Sequence, residues 1–215
     1  MARGSVVAGV GGIVFAVLWF LTAFVADPPG GSYAASDVAS YVNKDHRTAV
    51  FVAVALGVLS VLGLLLLLAG LRERLAGSDS LTGTVFWSAS VLSVAGFAIG
   101  WVTVLTVPIA RAYGGVTVVV IDPVLTYTIT EIGWVIMFAV GGTFLGVALI
   151  TAAIGSALPA WLRWLTLILG VLGLASLAWF PFFALLLWAI VTSVWLIASA
   201  RSAPGPSGPA PAAAA

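Results

Sequence analysis

The chain has 215 residues, 62% of them apolar and 7% charged, with a formal net charge of +1 and no cysteine. A soluble domain carries about 25% charged residues, and a soluble globule of this length could not hide so much apolar surface, so lipid must be the solvent for much of it. The lack of thiols excludes disulfides, thiolate metal sites and a cysteine nucleophile, and scattered cations in place of a basic patch give no reason to expect nucleic acid as a partner.

A bilayer core of about 30 Å needs roughly 20 apolar residues in helix. Six segments qualify, over about 5–26, 48–71, 84–109, 128–155, 160–178 and 181–200. The first follows Arg3 and ends at "DPPGG". Its apolar core exceeds the roughly 7–15 residues of a signal peptide, and Phe24 stands where a cleavage site needs a small residue. It is therefore read as an uncleaved membrane helix.

"SDVASYV" follows as a short helix, with Val38, Tyr41 and Val42 on one face at i, i+3, i+4. It is expected at the interface or against the outer part of the fourth segment. Next comes "NKDHR" (43–47), with the only lysine and the only histidine of the chain. Asp45 is placed to cap the second span. Lys44 and Arg47 can snorkel to headgroups, and His46 can titrate near neutral pH.

The third segment carries a stripe of small residues, Ala89, Ser93, Gly96, Gly100 and Thr103; the fourth carries Ala139, Gly142, Gly146 and Ala153. Such stripes let membrane helices approach closely. These two helices are predicted to touch, with Gly96, Gly100, Gly142 and Gly146 as the packing glycines. As one helix, 123–155 would reach about 50 Å, roughly 20 Å beyond the hydrocarbon. Its Thr-rich start, "PVLTYTITEIGW", is predicted to overhang the bilayer. Pro123, Pro159 and Pro181 read as helix starts, and the last two spans share a tight turn at "WFP". The tail 201–215 is Pro, Ala, Gly and Ser after its arginine and is predicted to be disordered.

Lys and Arg in the loops set the orientation. With the N-terminus inside, Arg3, Arg72, Arg74, Arg163 and Arg201 fall on the cytoplasmic side, and Lys44, Arg47 and Arg111 fall outside. Both termini are then cytoplasmic. Seven Arg against one Lys, with much Ala, Val, Gly and Leu, fits a GC-rich bacterial genome and hence a bacterial plasma membrane.

No Walker A, G-x-G-x-x-G, G-x-S-x-G or H-E-x-x-H motif occurs. No catalytic residue, metal ligand or cofactor is predicted. The one polar constellation is a candidate outer-face cluster of Asp37, Tyr41, Asp45, His46, Arg47, Arg111 and Glu131. Against it stands an interfacial collar, which accounts for every one of these residues and is preferred. Glu131 is the only acid inside a hydrophobic segment. It reads either as an interfacial acid paired with Arg111, or next Arg47, or as a proton or cation site.

The "ASDVASYV" helix, the run "DHRTAVFVAV", the closing "LRERL", then "DPVLTYTITEIGWVIMF" and "LPAWLRWLTLILGVLGL" together resemble a family of six-helix membrane proteins of unknown function from high-GC Gram-positive bacteria. The resemblance implies the six-helix topology over most of 5–200. It carries no catalytic residue onto this chain.

The expected fold is all-α, a bundle of six transmembrane helices with a small extracytoplasmic cap. The expected function is that of a non-enzymatic membrane component, structural or accessory, binding membrane lipids, a second copy or another membrane protein. A small-solute or ion transporter is the alternative. A membrane enzyme using His46, Arg47 and Glu131 is the third reading, and it requires those three to converge.

Overall fold

The computed structural model describes residues 2–29, 34–43, 46–75, 80–113, 122–155 and 158–202. Lys44, Asp45 and the predicted disordered tail from residue 203 onward lie outside the described residues.

All regular structure among the described residues is helical: α1 (Ala2–Ala26), α2 (Ala35–Tyr41), α3 (Arg47–Arg72), α4 (Leu81–Ala112), α5 (Pro123–Val135), a π-helical segment (Ile136–Gly142), α6 (Thr143–Gly155), α7 (Ala160–Leu174), a 3-10 turn (Ser176–Ala178) and α8 (Phe180–Arg201). Five apolar stretches are long enough to cross a membrane: Arg3–Ala26, Arg47–Arg72, Leu81–Ala112, Pro123–Gly155 and Phe180–Arg201. Val58, Leu62, Val102 and Leu187 stand exposed on their flanks. Water would penalise so much bare aliphatic surface, whereas lipid does not.

Two helices differ in extent from the predicted spans. The helix expected over 160–178 stops at Leu174 and gives way to the 3-10 turn. Its 15 residues reach about 22 Å, short of the hydrocarbon thickness. The third span is longer than 84–109. It starts at Leu81, where the Ser80 hydroxyl caps Gly83 N–H, and runs through Pro108 to Ala112. Two of the proline starts shift by one residue: Pro159 is the N-cap of α7, and α8 begins at Phe180, just before Pro181. Pro123 does open α5, with Asp122 accepting from the Val124 and Leu125 N–H groups.

The helices close into a ring. α1 packs on α3 and α8, α3 on α4, α4 on α5 and α6, α6 on α7, and α7 on α8. Glycines allow the crossings. A Cβ on Gly11 would meet the Gly63 carbonyl at 2.7 Å, which fixes the approach of α1 to α3. A Cβ on Gly96 would run into the Gly141 backbone, and one on Gly100 would meet the Met137 Cβ at 2.8 Å. α4 and the α5–α6 helix therefore touch as predicted, but the seam is only half the expected one. The fourth segment turns Gly133 and Gly141 toward α4. Gly142 faces Ser176, and Gly146 faces the α7 backbone at Gly170 and Gly173. The π segment lets Gly133 and Gly141 share the α4 face, since eight residues of regular helix would set them about 80° apart.

Candidate functional site

At the end of the bundle where α1 finishes and α3 begins, α2 lies against α5. Val38, Tyr41 and Val42 are buried, as the i, i+3, i+4 spacing requires. The Tyr41 hydroxyl donates to the Val104 carbonyl at 2.6 Å. In a regular helix that carbonyl would accept from the N–H of residue 108, but residue 108 is proline and has none. Tyr41 supplies the missing donor, and burial pushes its phenol well above the ordinary tyrosine range.

The remaining members of the predicted polar cluster are engaged separately. Asp37 stands in the first turn of α2, near the Ser36 hydroxyl at 3.5 Å. His46 is the N-cap residue of α3, and its Nε2 lies 3.0 Å from the Ala26 carbonyl, tying the start of α3 to the end of α1. The Arg47 guanidinium sits over the Phe51 ring at 5.7 Å, one turn along its own helix. Glu131 accepts a hydrogen bond from the Tyr127 hydroxyl, not from the expected Arg111. The Nε of Arg111 is buried with no hydrogen-bond partner. Asp45, the predicted cap, lies outside the described residues. Tyr41 and His46 come within 6.2 Å ring to ring, but among the described residues no hydrogen bond or ion pair joins His46, Arg47 and Glu131. No group of three His, Cys, Asp or Glu gathers among the described residues to hold a metal.

The interior is aromatic. Trp19 lies 4.7 Å from Phe182, 5.7 Å from Trp101 and 6.1 Å from Trp134, ring centre to ring centre. Phe138 stacks on Trp134 at 5.7 Å and meets Phe182 at 5.0 Å. Such offset and edge contacts add to the burial energy of large rings. The Trp19 indole N–H is fixed by the Met137 sulfur at 3.3 Å. Sequence reading missed this assembly. The signal was nine tryptophans, more than interfacial belts require.

The π segment is also held by side chains from outside it. Ser93 donates to the Gly141 carbonyl at 2.7 Å, and Ser176 to the Phe138 carbonyl at 2.8 Å. The Phe138 carbonyl also accepts the Thr143 N–H, so Ser176 adds a second donor there, and both hydroxyls satisfy themselves on the segment in an apolar medium.

A pocket of about 280 Å³ opens beside the aromatic interior, between α1, α5 and the start of α8. Trp19, Phe20, Trp134, Trp179 and Phe183 wall it, and Asp27 stands at its rim. Both non-glycine residues with positive φ among the described residues border it: Asp27 at 43° and Trp179 at 68°. Aspartate tolerates this region, but a bulky tryptophan there is a true outlier. At the opposite end, Arg74 donates to Ser5 at 2.8 Å and Ser199 at 3.4 Å while lying over Trp195 at 4.7 Å, so one side chain joins α1 and α8 to the end of α3.

No protein family, curated protein or solved structure matches the chain. The class rests on the fold: an all-helical bundle with the dimensions of a multi-pass membrane protein.

Proposed function

We propose that this chain is a non-enzymatic component of a bacterial plasma membrane that works by binding, holding a lipid-like molecule or a partner on the flank of its bundle. The observation that carries this reading is the filled aromatic interior beside a laterally open pocket, with Tyr41 and His46 at the α2 end engaged by backbone carbonyls. In this proposal α7 and the 3-10 turn together form a sixth, thinner span, α2 caps the outer face, and both termini are cytoplasmic. Kinship with the high-GC Gram-positive six-helix family belongs to the same proposal.

A transporter reading has one feature in its favour, the π-helical break midway along the Pro123–Gly155 helix, since irregular helices near the midplane mark transport sites. Reconstitution separates the two. The binding reading expects lipid or amphiphile to be retained through purification in a mild detergent, detected by mass spectrometry, with ion and solute flux in proteoliposomes no faster than in empty ones. Protein-dependent flux would overturn it in favour of transport.

A further inference from the structure

The pocket beside Trp19 has a chemistry that an acyl-chain crevice does not need. Its lining is aromatic: Trp19 and Trp134 are nearly buried behind it, and Phe20, Trp179 and Phe183 are the more exposed rings. Trp134 and Trp179 lie 5.5 Å apart, Trp19 lies 6.1 Å from Trp134 and 6.4 Å from Phe183, and Phe20 stacks on Phe183 at 5.9 Å. Its one charged lining residue is Asp27. Aromatic faces with one anion attract a cation.

The kind of cation follows from what the walls lack. A metal ion needs several oxygen ligands, and a primary ammonium has three N–H groups to satisfy. One rim carboxylate cannot supply either. An alkylated ammonium has few or no N–H groups and spreads its charge over methyl groups that pack on rings. The recess, about 280 Å³ and open at the flank of the bundle, has room for several waters at about 30 Å³ each.

The backbone points the same way. Trp179 sits on the turn between α7 and α8 with φ 68° and ψ −62°, a conformation that tryptophan rarely adopts. The turn is held by Trp179 N–H on the Ser176 carbonyl and Phe182 N–H on the Trp179 carbonyl. That geometry lays the indole 4.7 Å from Phe138 and leaves it 42% exposed as a wall of the pocket. Asp27, also at positive φ and exposed, lines the same pocket at the end of α1. Phe24, 76% exposed, stands at the mouth and leads out along the apolar flank of α1, where a tail would lie.

We propose that this pocket receives an alkylated ammonium group, with Phe20, Trp179 and Phe183 as its aromatic walls and Asp27 as its counter-charge. The group is free or heads an amphiphile in the bilayer. The inference rests on the binding role proposed above and names the chemistry of its ligand.

The test uses the full chain in a nonionic maltoside detergent, with intrinsic tryptophan fluorescence as the readout. The probes are tetramethylammonium, its neutral isostere 3,3-dimethylbutan-1-ol, and dodecyltrimethylammonium. The cations are expected to bind about tenfold or more tightly than the neutral probe. Asp27→Asn and Trp179→Leu are each expected to abolish most of that preference. Trp161→Leu, on an exposed residue at the start of α7, is expected to change nothing. Comparable affinity for the short and long cations assigns a free ligand, and binding of the long one alone assigns a lipid-like one. Trp179→Phe, which keeps a ring, is the second variant should Trp179→Leu not fold, and a graded loss is then expected. Equal binding of the neutral probe, no binding of either cation, or a preference untouched by both Asp27→Asn and the Trp179 variants would overturn the proposal. Lipid retained in mass spectra despite such a failure would leave the broader binding role standing.

Discussion

The Tyr41 hydroxyl and the Val104 carbonyl are joined at 2.6 Å because Pro108, four residues on, has no N–H to offer. A short helix outside the spans thereby completes the backbone of one inside the bundle. Replacing Tyr41 by Phe leaves a buried carbonyl without a donor, at a cost of about 1–3 kcal/mol. Replacing Pro108 by Ala restores the helical donor. The double variant Tyr41→Phe with Pro108→Ala is therefore expected to be less destabilised than Tyr41→Phe alone, as measured by thermal unfolding in detergent. Equal loss in both would show that the hydroxyl, not the orphaned carbonyl, is what matters.

The same bond sets a pH dependence. Burial raises the Tyr41 phenol above its ordinary 10.0. Above that pH the unfolded chain has lost a proton that the folded chain still holds, so stability is whole below about pH 10 and falls as pH rises past it. Unfolding midpoints at pH 8 and pH 11 should differ more for the parent than for Tyr41→Phe.

The serines of the π segment repeat the principle. Ser93→Ala and Ser176→Ala each remove a donor from a carbonyl of that segment. Interhelical hydrogen bonds in membrane proteins contribute about 0.6 kcal/mol on average and up to about 1.7. Each variant should lose an amount in that range. Ser90→Ala, whose hydroxyl only doubles a bond to Phe86 within its own helix, should lose less.

Glycines offer a paired comparison. A Cβ at Gly96 would collide with the Gly141 backbone, which cannot yield, whereas one at Gly57 would find ordinary contact with Thr22 and Trp101 at 3.5 Å. Gly96→Ala is expected to cost about 1–3 kcal/mol through overpacking. Gly57→Ala should be neutral or stabilise by up to about 1 kcal/mol, since alanine is the better helix former. Opposite signs in the two unfolding midpoints would confirm the seam.

Much of this architecture was legible in the chain, for reasons that also mark the limit. Long apolar runs announce membrane helices because only length and hydrophobicity matter there. The face of α2 was readable because the small residues Ala39 and Ser40 separate Val38 from Tyr41 and Val42. Within the spans that contrast disappears. In "IGWVIMFAVGGTF" nearly every residue is apolar or glycine, so periodicity cannot report that one turn holds an additional residue. The stripe through Gly142 and Gly146 was aimed at α4 but faces α7 and the 3-10 turn that follows it. The pocket was hidden for another reason. Trp19, Trp134 and Trp179 are far apart in sequence, and only the closed ring of helices brings them together. Asp27 looked like punctuation after the first helix.

The π segment yields one further prediction, from counting residues. A π turn holds about one residue more than the α-turn it replaces. Deleting Val140, which lies within it, lets the helix close as α while α5 and α6 keep their faces toward α4 and α7. Deleting Val147, outside it, rotates the rest of α6 by about 100° at 3.6 residues per turn. That rotation would turn Ala148, Leu149, Ala152 and Ala153 out of the core. The Val140 deletion should still give a monodisperse, folded protein by size exclusion, weakened by the loss of the Ser93 or Ser176 bond. The Val147 deletion should not. If both deletions behave alike, the extra residue is not what sets the register between the two halves of this helix.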